Sequence, residues 1–259
     1  MSDHEGKNLV EMIQISKSFG KVQALKRIDF RVGYQEIVGL VGDNGAGKST
    51  LIKILTGVFP PDEGEIYFEG KKVCLSSPKE ARDLGIETVY QHLALVDLMS
   101  VTRNLFLGRE IVSKFLGFVP VLETNKMKKI AIESLEDLGI RIGSVDESIA
   151  NLSGGQRQAV AIGRAVHFGA KLLILDEPTA ALSIRECNKV LDHILEAKAR
   201  GLSVIFITHN IYHVYSVADK FTVLDHGVKL GDFEKKDVTA EDIIEMVRTG
   251  QVKGEVCNG

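Results

Sequence analysis

The stretch that decides the fold is Gly42-Asp43-Asn44-Gly45-Ala46-Gly47-Lys48-Ser49, which fits the pattern G-x-x-x-x-G-K-[S/T]. Its glycines let the backbone approach a phosphate group closely, so that successive N–H groups at a helix N-terminus can surround it. Lys48 supplies a positive charge for the β- and γ-phosphates, and the Ser49 hydroxyl can complete the coordination of Mg²⁺. An accidental glycine turn is disfavoured, because an apolar strand precedes this phosphate loop and a helix follows it. The loop therefore predicts a nucleoside triphosphate site without indicating a family.

Strand and helix patterns alternate on both sides of the phosphate loop. Hydrophobic residues at every second position predict strands over residues 10–16, 28–32 and 36–41. A helix is predicted over 49–55 and a strand over 65–68. Later segments are predicted as a helix from Gly155, a strand over 172–175, a helix over 184–200 and a strand over 204–208. Such alternation is typical of an α/β fold with a largely parallel sheet.

Two carboxylates, Asp176 and Glu177, directly follow the apolar run Leu172-Leu173-Ile174-Leu175. A buried parallel strand brings its last residues to the carboxyl edge of the sheet, where open α/β folds bind their ligands. We expect Asp176 to reach Mg²⁺, directly or through water, and Glu177 to orient or deprotonate the attacking water. Alone, this pair would be read as a solvated strand end, but its position after a phosphate loop favours the catalytic interpretation.

The middle of the chain, over residues 100–146, has a helical periodicity. Its apolar residues recur at steps of three and four, at Met127, Ile130, Ala131, Leu135 and Leu138. This stretch interrupts the alternation of strands and helices. It therefore predicts a helical subdomain inserted into the α/β fold.

Composition and charge exclude several classes of protein. The chain has 259 residues, of which 44% are hydrophobic and 26% charged, enough for a substantial core. A net charge of -3 argues against a nucleic-acid-binding face, which should be clearly basic. Cys74, Cys187 and Cys257 are too far apart for a metal site or a disulfide framework, which favours a reducing compartment.

Neither a signal peptide nor a membrane span is predicted. No apolar run reaches the ~18 residues that are needed to cross a bilayer. The first ten residues include Asp3 and Glu5 and lack a basic region followed by an apolar one. The protein is therefore expected to be soluble by itself and to reach a membrane only through a partner.

A second glycine motif, Leu152-Ser153-Gly154-Gly155-Gln156, precedes a helical stretch that extends to about His167. Its chemistry is that of an anion site, because a serine hydroxyl and two glycine N–H groups lie at the positive end of a helix. For an isolated pentapeptide, a simple N-cap would be the favoured interpretation. This motif does not stand alone.

The order of these motifs resembles the ATPase domain of ABC transporters, over residues 10–250. It comprises the phosphate loop, Gln91, the signature motif over 152–156, the pair Asp176-Glu177 and His209. The resemblance implies an α/β fold with a P-loop NTPase (RecA-like) core, an antiparallel β subdomain and an inserted α-helical subdomain. It also implies a single ATPase domain over 1–250, made of a nucleotide-binding core over 1–91 and 156–250 and a helical signature subdomain over 92–155, with a C-terminal tail over 251–259.

The resemblance further implies roles for single residues, with ATP and Mg²⁺ as ligands. Phe19 is expected to stack on adenine, with a core position on a strand as the alternative. Gln91 matches a glutamine that touches Mg²⁺ and water, and His209 is expected to hydrogen-bond the γ-phosphate and hold the water and base in place. The catalytic residues are then Glu177, His209 and Lys48, and the metal ligands are Ser49, Gln91 and Asp176. The nucleotide-binding set is Phe19, Gly42, Asp43, Asn44, Gly45, Ala46, Gly47, Lys48, Ser49, Thr50, Gln91, Ser153, Gly154, Gly155 and Gln156.

One position departs from the family pattern. After Glu177-Pro178-Thr179 the family usually has Ser-Ala-Leu-Asp, whereas this chain has Ala180-Ala181-Leu182-Ser183. The missing carboxylate puts in doubt a contact that the aspartate would make across a dimer, although it is not a catalytic ligand.

In the family, the signature of one subunit covers the ATP that the phosphate loop of the other subunit holds. This chain has one phosphate loop and one signature, with the helical insertion between them, so we expect an ATP-dependent, head-to-tail homodimer. The other expected partners are membrane permease subunits and, indirectly, a solute-binding protein, but no nucleic acid. The expected location is the cytoplasmic face of the cell membrane, peripheral through the permease.

Three stretches are similar to the ATPases of importers for ribose, xylose and related monosaccharides, namely residues 89–101, 104–110 and 177–183. We therefore expect import of a monosaccharide. Import of another small solute, such as a nucleoside or a signal molecule, is the main alternative. A soluble ABC ATPase that acts on nucleic acid is a weaker alternative, because such proteins usually carry long insertions or two motif sets.

The stretch 111–122 is unusually apolar for a loop, and we expect it to be subdomain core, with a permease-facing surface as the alternative.

Overall fold

The computed structural model describes residues 8–91, 93–115 and 118–252. Cys257, His92 and all but the first two residues of the tail predicted over 251–259 lie outside these residues. None of the described helices combines the length and the apolar character that a membrane span requires.

Twelve strands and eight α-helices form the described part of the chain. The strands are β1 (Asn8–Phe19), β2 (Val22–Gly33), β3 (Ile37–Val41), β4 (Glu63–Phe68), β5 (Lys71–Val73), β6 (Ile86–Val89), β7 (Val112–Phe115), β8 (Val119–Leu122), β9 (Leu172–Asp176), β10 (Ser203–Ile207), β11 (Lys220–Asp225) and β12 (Val228–Glu234). The helices are α1 (Lys48–Leu55), α2 (Pro78–Asp83), α3 (Val101–Leu105), α4 (Thr124–Asp137), α5 (Gly154–His167), α6 (Ile184–Ala199), α7 (Ile211–Val217) and α8 (Ala240–Thr249).

A six-stranded sheet forms the centre of the fold, with the strand order β12-β11-β3-β10-β9-β6. Strands β11, β3, β10, β9 and β6 run parallel, and β12 pairs antiparallel with β11 at one edge. Parallel neighbours need crossover connections, which the helices between these strands supply. The predicted α/β fold with a largely parallel sheet is confirmed.

A second, four-stranded sheet is antiparallel and has the strand order β2-β1-β4-β5. Its buried side chains, among them Met12 and Phe30, pack with α1 and with one face of β3. The antiparallel β subdomain that the resemblance implied is therefore confirmed.

Strand β3 shows how the central sheet is covered on both faces. Its five residues are all buried. Val38 and Leu40 belong to the cluster under the antiparallel sheet, whereas Ile37 and Val41 belong to a second cluster shared with α6, α7 and α8. Because side chains alternate between the two faces of a strand, β3 anchors two layers of core. The chain that leaves Val41 emerges at the carboxyl edge of the sheet.

A third hydrophobic cluster lies in the inserted subdomain. It draws on α3, α4 and α5 and includes Leu105, Met127 and Leu135. Helix α5 also contributes Ala161 and Ile162 to the second cluster, so this helix joins the insertion to the α/β core. Because these hydrophobic clusters are separate, we propose that the chain divides, as predicted, into a nucleotide-binding core and a signature subdomain.

The middle of the chain is not helical throughout, contrary to the prediction for residues 100–146. Strands β7 and β8 pair as an antiparallel hairpin, with Val112 opposite Leu122. The sequence of this segment is rich in valine and contains Gly117 and Pro120, residue types that disfavour a helix. The helical periodicity therefore holds for α3 and α4 but not for the segment between them.

The expectation that residues 111–122 form subdomain core is also wrong for most of the side chains that the structure describes there. Phe118 is 76% exposed, and Val112, Val121 and Leu122 are exposed as well. Ile111, at the start of the segment, is half-buried against the third cluster. The hairpin pairs only with itself among the described strands, and among the described side chains of residues 111–122 only Ile111 packs against the third cluster. The permease-facing alternative stays a prediction.

Candidate nucleotide-binding site

The phosphate loop follows β3, and its conformation requires glycine. Gly42 has a φ of +149°, and a Cβ there would lie 2.2 Å from the carbonyl oxygen of Leu224. Gly47 has a φ of +103°, and a Cβ there would lie 2.7 Å from Leu25 Cδ2. At Gly45, with a φ of +83°, a Cβ would meet nothing within 4 Å apart from its chain neighbours. The loop is thus pressed against the protein at both ends and open in the middle, where a phosphate can approach the backbone.

Helix α1 begins at Lys48 and presents its first N–H groups to this loop. The N-cap residue, Gly47, has no side chain to accept hydrogen bonds from them. N–H groups in the first turn of a helix have no acceptor within the helix and give its N-terminus a partial positive charge. The Nζ atom of Lys48 donates to the carbonyl oxygens of Gly42 at 2.7 Å and Asp43 at 3.0 Å, so its charge lies over the loop. These are the donors that a polyphosphate requires.

The strand pairing brings the segments after β9 and β10 to the same edge of the sheet. Asp176 lies opposite Ile207 in this parallel pair. Glu177 has a φ of +52°, a left-handed conformation that residues other than glycine seldom adopt. Its N–H donates to the carbonyl oxygen of Ile207 at 2.9 Å, which fixes this conformation against β10. Glu177 is therefore presented beyond the sheet edge, next to the residues that follow β10.

Two consecutive residues after β10 hold the Glu177 carboxylate. Thr208 Oγ1 donates to Glu177 Oε2 at 2.9 Å, and the N–H of His209 donates to Oε1 at 2.9 Å. The ring of His209 is 75% exposed, and its Nδ1 lies 3.0 Å from Oε1. The Thr208 hydroxyl also accepts a hydrogen bond from the N–H of Asn210 at 3.1 Å, so its single proton is directed to Glu177. Glu177 and His209, both predicted, are thus in contact.

One cleft of about 770 Å³ brings most of the predicted residues together. The volume lies within the range that is typical of small-molecule sites, about 300–1,000 Å³. The predicted residues in its lining are Asn44, Gly45, Ala46, Gly47, Lys48, Ser49, Thr50, Gln91, Asp176, Glu177 and His209. These residues are far apart in the sequence, and the sheet topology collects them at one edge.

Burial shifts the pKa of two charged groups in this cleft. Desolvation lowers the pKa of Lys48 below its usual value, against the opposing effect of nearby Glu177. Desolvation, followed by the charge of Glu177, raises the pKa of Asp176. An anion beside Lys48 and a cation beside Asp176 would each favour the charged form of the side chain. The electrostatics of the cleft therefore suit a phosphate accompanied by a cation.

The oxygen donors of the cleft fit Mg²⁺. Ser49, Gln91 and Asp176 offer a hydroxyl, a carboxamide and a carboxylate oxygen in its lining. Mg²⁺ prefers oxygen ligands and commonly combines one or two protein groups with waters and substrate phosphates. Within the described residues, no group of three or more His, Cys, Asp or Glu side chains could hold a metal by itself. The assignment of Ser49, Gln91 and Asp176 as Mg²⁺ ligands stays a prediction.

Seven predicted nucleotide-binding residues lie outside this lining, namely the four signature residues 153–156 and Phe19, Gly42 and Asp43. Gly42 and Asp43 form the base of the loop, where the Asp43 carboxylate accepts a hydrogen bond from the N–H of Asn44 at 2.7 Å. Phe19, at the end of β1, is 48% exposed. Its ring packs edge-on against Phe59, with centroids 5.2 Å apart. The stacking of Phe19 on adenine stays a prediction.

The signature motif does not share this cleft. Ser153, Gly155 and Gln156 line a separate cleft of about 840 Å³, whose lining contains no residue of the phosphate loop. Ser153 is the N-cap of α5: its hydroxyl accepts from the N–H of Gln156 at 3.3 Å, and its N–H donates to Gln156 Oε1 at 3.0 Å. This reciprocal capping box stabilises the helix start. Within one chain, the two glycine motifs therefore line two separate clefts.

Ser183, which stands where the family usually has aspartate, caps α6. Its hydroxyl donates to Glu186 Oε2 at 2.8 Å and accepts from the N–H of Glu186 at 3.4 Å. The serine thus keeps the capping function that an aspartate would have at this position. Glu186 Oε1 in turn accepts a hydrogen bond from the N–H of Gly155 at 3.4 Å, so the start of α6 contacts the signature.

Sequence reasoning missed several residues of these sites. The cleft of the phosphate loop is also lined by His226, on the turn between β11 and β12, and by the β2 residues Val22, Gln23, Ala24 and Lys26. No local pattern indicates them, because long-range sheet packing brings them there. Thr208 and Glu186 did have a signal, namely the position directly before His209 and the capping-box spacing after Ser183.

Comparison with known protein families and relatives agrees with this geometry. The family model for ABC transporters matches residues 25–180. The xylose/arabinose import ATP-binding protein XylG of Sulfolobus acidocaldarius is 47% identical over 240 residues, which cover 93% of this chain and 94% of that protein. The fructose import ATP-binding protein FrcA of Rhizobium meliloti is 46% identical over 231 residues, which cover 88% and 89%. A ribose import ATP-binding protein of Caldanaerobacter subterraneus is 36% identical, and this chain spans 48% of its length.

Solved structures show the same architecture. A nucleotide-free ATP-binding cassette from an ABC transporter superposes with a TM-score of 0.78 at 27% identity, covering 92% of this chain and 95% of that one. An ATP-binding cassette in its ADP conformation superposes with a TM-score of 0.77 at 28% identity, covering 93% and 95%. Motif order, sheet topology and sequence identity lead to one conclusion: the chain belongs to the ABC transporter family, as an ATP-binding cassette.

Proposed function

We propose that this chain is the ATP-binding and ATP-hydrolysing subunit of an ABC importer, with a monosaccharide as the transported solute. The observation that supports the ATPase most strongly is the single cleft that joins Lys48, Ser49, Asp176, Glu177 and His209. It combines phosphate-binding donors, oxygen ligands and a positioned carboxylate base, which are the parts that phosphoryl transfer to water requires.

Each group in the cleft has a distinct task in the proposed reaction. The N–H groups of the phosphate loop and α1 bind the phosphates of ATP, and Lys48 neutralises the charge that develops on the γ-phosphate. Glu177 orients and deprotonates the attacking water, while Thr208 holds its carboxylate in place. His209 hydrogen-bonds the γ-phosphate. Ser49, Gln91 and Asp176 would hold Mg²⁺, which would supply positive charge to the phosphates.

The proposed active form is a head-to-tail homodimer with two composite sites. Its support is the separation of the phosphate loop from the signature, which line different clefts of the same chain. A twofold dimer can place Ser153 and its neighbours of one copy over the ATP held by Lys48 of the other. Closure excludes water from the γ-phosphate and transmits movement to permease subunits at the cytoplasmic face of the membrane.

The variant Glu177→Gln tests the ATPase and the dimer together. It should bind ATP, lose turnover by about two orders of magnitude or more because the base is absent, and accumulate as a dimer. Turnover and molar mass by light scattering, with ATP and Mg²⁺, measure these effects. Glu133→Gln, on the exposed face of α4, is the matched control and should behave as wild type. A Glu177→Gln protein that stays monomeric at saturating ATP and Mg²⁺ would contradict the composite site.

The choice of a monosaccharide rests on the names of the relatives, which describe import of xylose or arabinose, fructose and ribose. The test is co-purification of the native complex with its permease and solute-binding protein, followed by binding assays with a panel of pentoses, hexoses and nucleosides. Binding of one or more sugars by the solute-binding protein is the expected result. If the solute-binding protein binds a nucleoside or signal molecule but no sugar, the proposed monosaccharide import is wrong and import of another small solute is supported.

A further inference from the structure

Glu186 occupies a hydrogen-bond donor of the signature, the N–H of Gly155, which the proposed composite site would turn toward the γ-phosphate of the ATP held by a second copy. Its Oε1 accepts the hydrogen bond from the N–H of Gly155 at 3.4 Å, in the cleft that Ser153 and Gln156 also line. A Cβ on Gly155 would lie 3.1 Å from Glu186 Cβ and 3.2 Å from its Cγ. The absence of a side chain at Gly155 therefore allows α6 to pack closely against the signature. This packing places the Glu186 carboxylate at the start of α5.

The Glu186 carboxylate is ionised and fixed in this position. Its Oε2 accepts hydrogen bonds from the Ser183 hydroxyl at 2.8 Å and from the Ser183 N–H at 3.1 Å. Hydrogen bonds from Ser183, with further ones from Ser153 and Gly155, lower the pKa of Glu186 to about 2. At neutral pH an anion thus lies at the positive end of α5 before any nucleotide arrives.

We propose that Glu186 is a built-in competitor of the γ-phosphate, which holds the signature closed to ATP until the ATP of a second copy displaces it. The idea rests on the proposed composite site. Two anions cannot share the same N–H donors without repulsion, so dimer closure must move the Glu186 side chain away from Gly155. Glu186 then sets the ATP concentration at which the dimer forms, without contacting the reacting atoms.

Replacement of Glu186 by glutamine isolates the charge. Glutamine has the same shape and is also a favoured third residue of a capping box, so the start of α6 is retained. In a Glu177→Gln background, the second change Glu186→Gln should lower the ATP concentration for half-maximal dimer formation by about threefold to fivefold, the size expected for an exposed charge. Glu186→Ala, which is also uncharged, should act in the same direction. Analytical ultracentrifugation of the full chain over a series of ATP concentrations measures this threshold.

Two controls separate competition from a structural role. Asp192→Asn removes a charge on the same helix and in the same cleft but away from the signature, and it should leave the threshold unchanged. The affinity for ADP should not change in any of these variants, because ADP lacks the γ-phosphate and binds at the phosphate loop of its own chain. The effect of Glu186→Gln should also shrink as the salt concentration rises, because salt screens exposed charges.

The outcomes distinguish this proposal from the function on which it rests. A Glu177→Gln protein that never dimerises with ATP would overturn the composite site and the role of Glu186 together. The Glu177→Gln protein could instead dimerise with ATP while the Glu186 variants leave the ATP concentration for half-maximal dimer formation unchanged or raise it. In that case the carboxylate does not compete with ATP, and only this proposal fails.

Discussion

At the scale of single residues, the proposed hydrolysis depends on how the Glu177 carboxylate is held. The Thr208 hydroxyl accepts a hydrogen bond from the N–H of Asn210 and donates one to the Glu177 carboxylate. A base that must align a water molecule tolerates little rotational freedom, because small displacements of a reacting group reduce the rate strongly. Thr208 is therefore a positioning residue for the reaction, although it has no chemistry of its own.

The change Thr208→Val tests this role. Valine keeps the shape of threonine but removes the hydroxyl, and a hydrogen bond to a charged group contributes about 1.5–3 kcal/mol. We expect kcat for ATP to fall by about tenfold or more, with little change in the KM for ATP, because the phosphate-binding groups are untouched. Steady-state kinetics at saturating Mg²⁺ measure both quantities.

Two further variants make the Thr208 result specific. Thr208→Ser restores the hydroxyl and should recover most of kcat. Thr222→Val removes a buried hydroxyl that donates to Asp232 at 2.7 Å, away from the cleft, and should leave kcat unchanged. Equal losses of kcat in Thr208→Val and Thr208→Ser would show that the hydroxyl is not what matters.

The predicted site residues that the structure brings together in one cleft belong to short local motifs. Lys48 and Ser49 follow the glycines of their loop, and Asp176 and Glu177 follow an apolar strand. Their meeting in one cleft follows from the general rule that parallel strands end at one edge. His226 could not be found in this way, because it reaches the cleft through the packing of an unrelated turn.

At the scale of elements, the hairpin of β7 and β8 is where the sequence prediction failed. Runs of apolar residues indicate burial only on average. A stretch rich in valine favours a strand, and this strand can be exposed as well as buried. The hairpin lies between α3 and α4. The helical periodicity of these two helices led to the prediction of a helical stretch that included the hairpin. In the two main sheets, alternation or an apolar run predicted β1, β2, β3, β4, β9 and β10, whereas β5, β11 and β12 were not predicted.

The exposure of the hairpin gives a stability prediction. Phe118→Ala should change the free energy of unfolding by no more than about 0.5 kcal/mol, as expected for a surface position. Phe106, which is 1% exposed in the third cluster, is the matched control, and Phe106→Ala should cost about 3–5 kcal/mol. Urea denaturation of both variants measures these values. If Phe118→Ala lowers the free energy of unfolding by more than about 2 kcal/mol, the side chain is buried and the hairpin belongs to the subdomain core.

At the scale of the whole molecule, the α/β class followed from the sequence pattern, whereas the antiparallel sheet and the separation of the two glycine motifs were expected only from the family resemblance. Sequence places the signature only 21 residues before Glu177, counted from Gln156. The fold nevertheless puts the signature in a different cleft, since α5 runs from the inserted subdomain back to the core. This separation is the reason for proposing that catalysis needs two copies.

Mixing two inactive variants tests that central claim most directly. Lys48→Ala removes the phosphate-binding charge and keeps the signature, while Ser153→Arg blocks the signature and keeps the phosphate loop. Each variant alone should be inactive. In an equal mixture, random pairing makes half of the dimers mixed, each with one intact composite site of two, so about a quarter of the wild-type ATPase rate should return. If the mixture is as inactive as its components while the two variants demonstrably associate, the site does not join the phosphate loop of one chain to the signature of another.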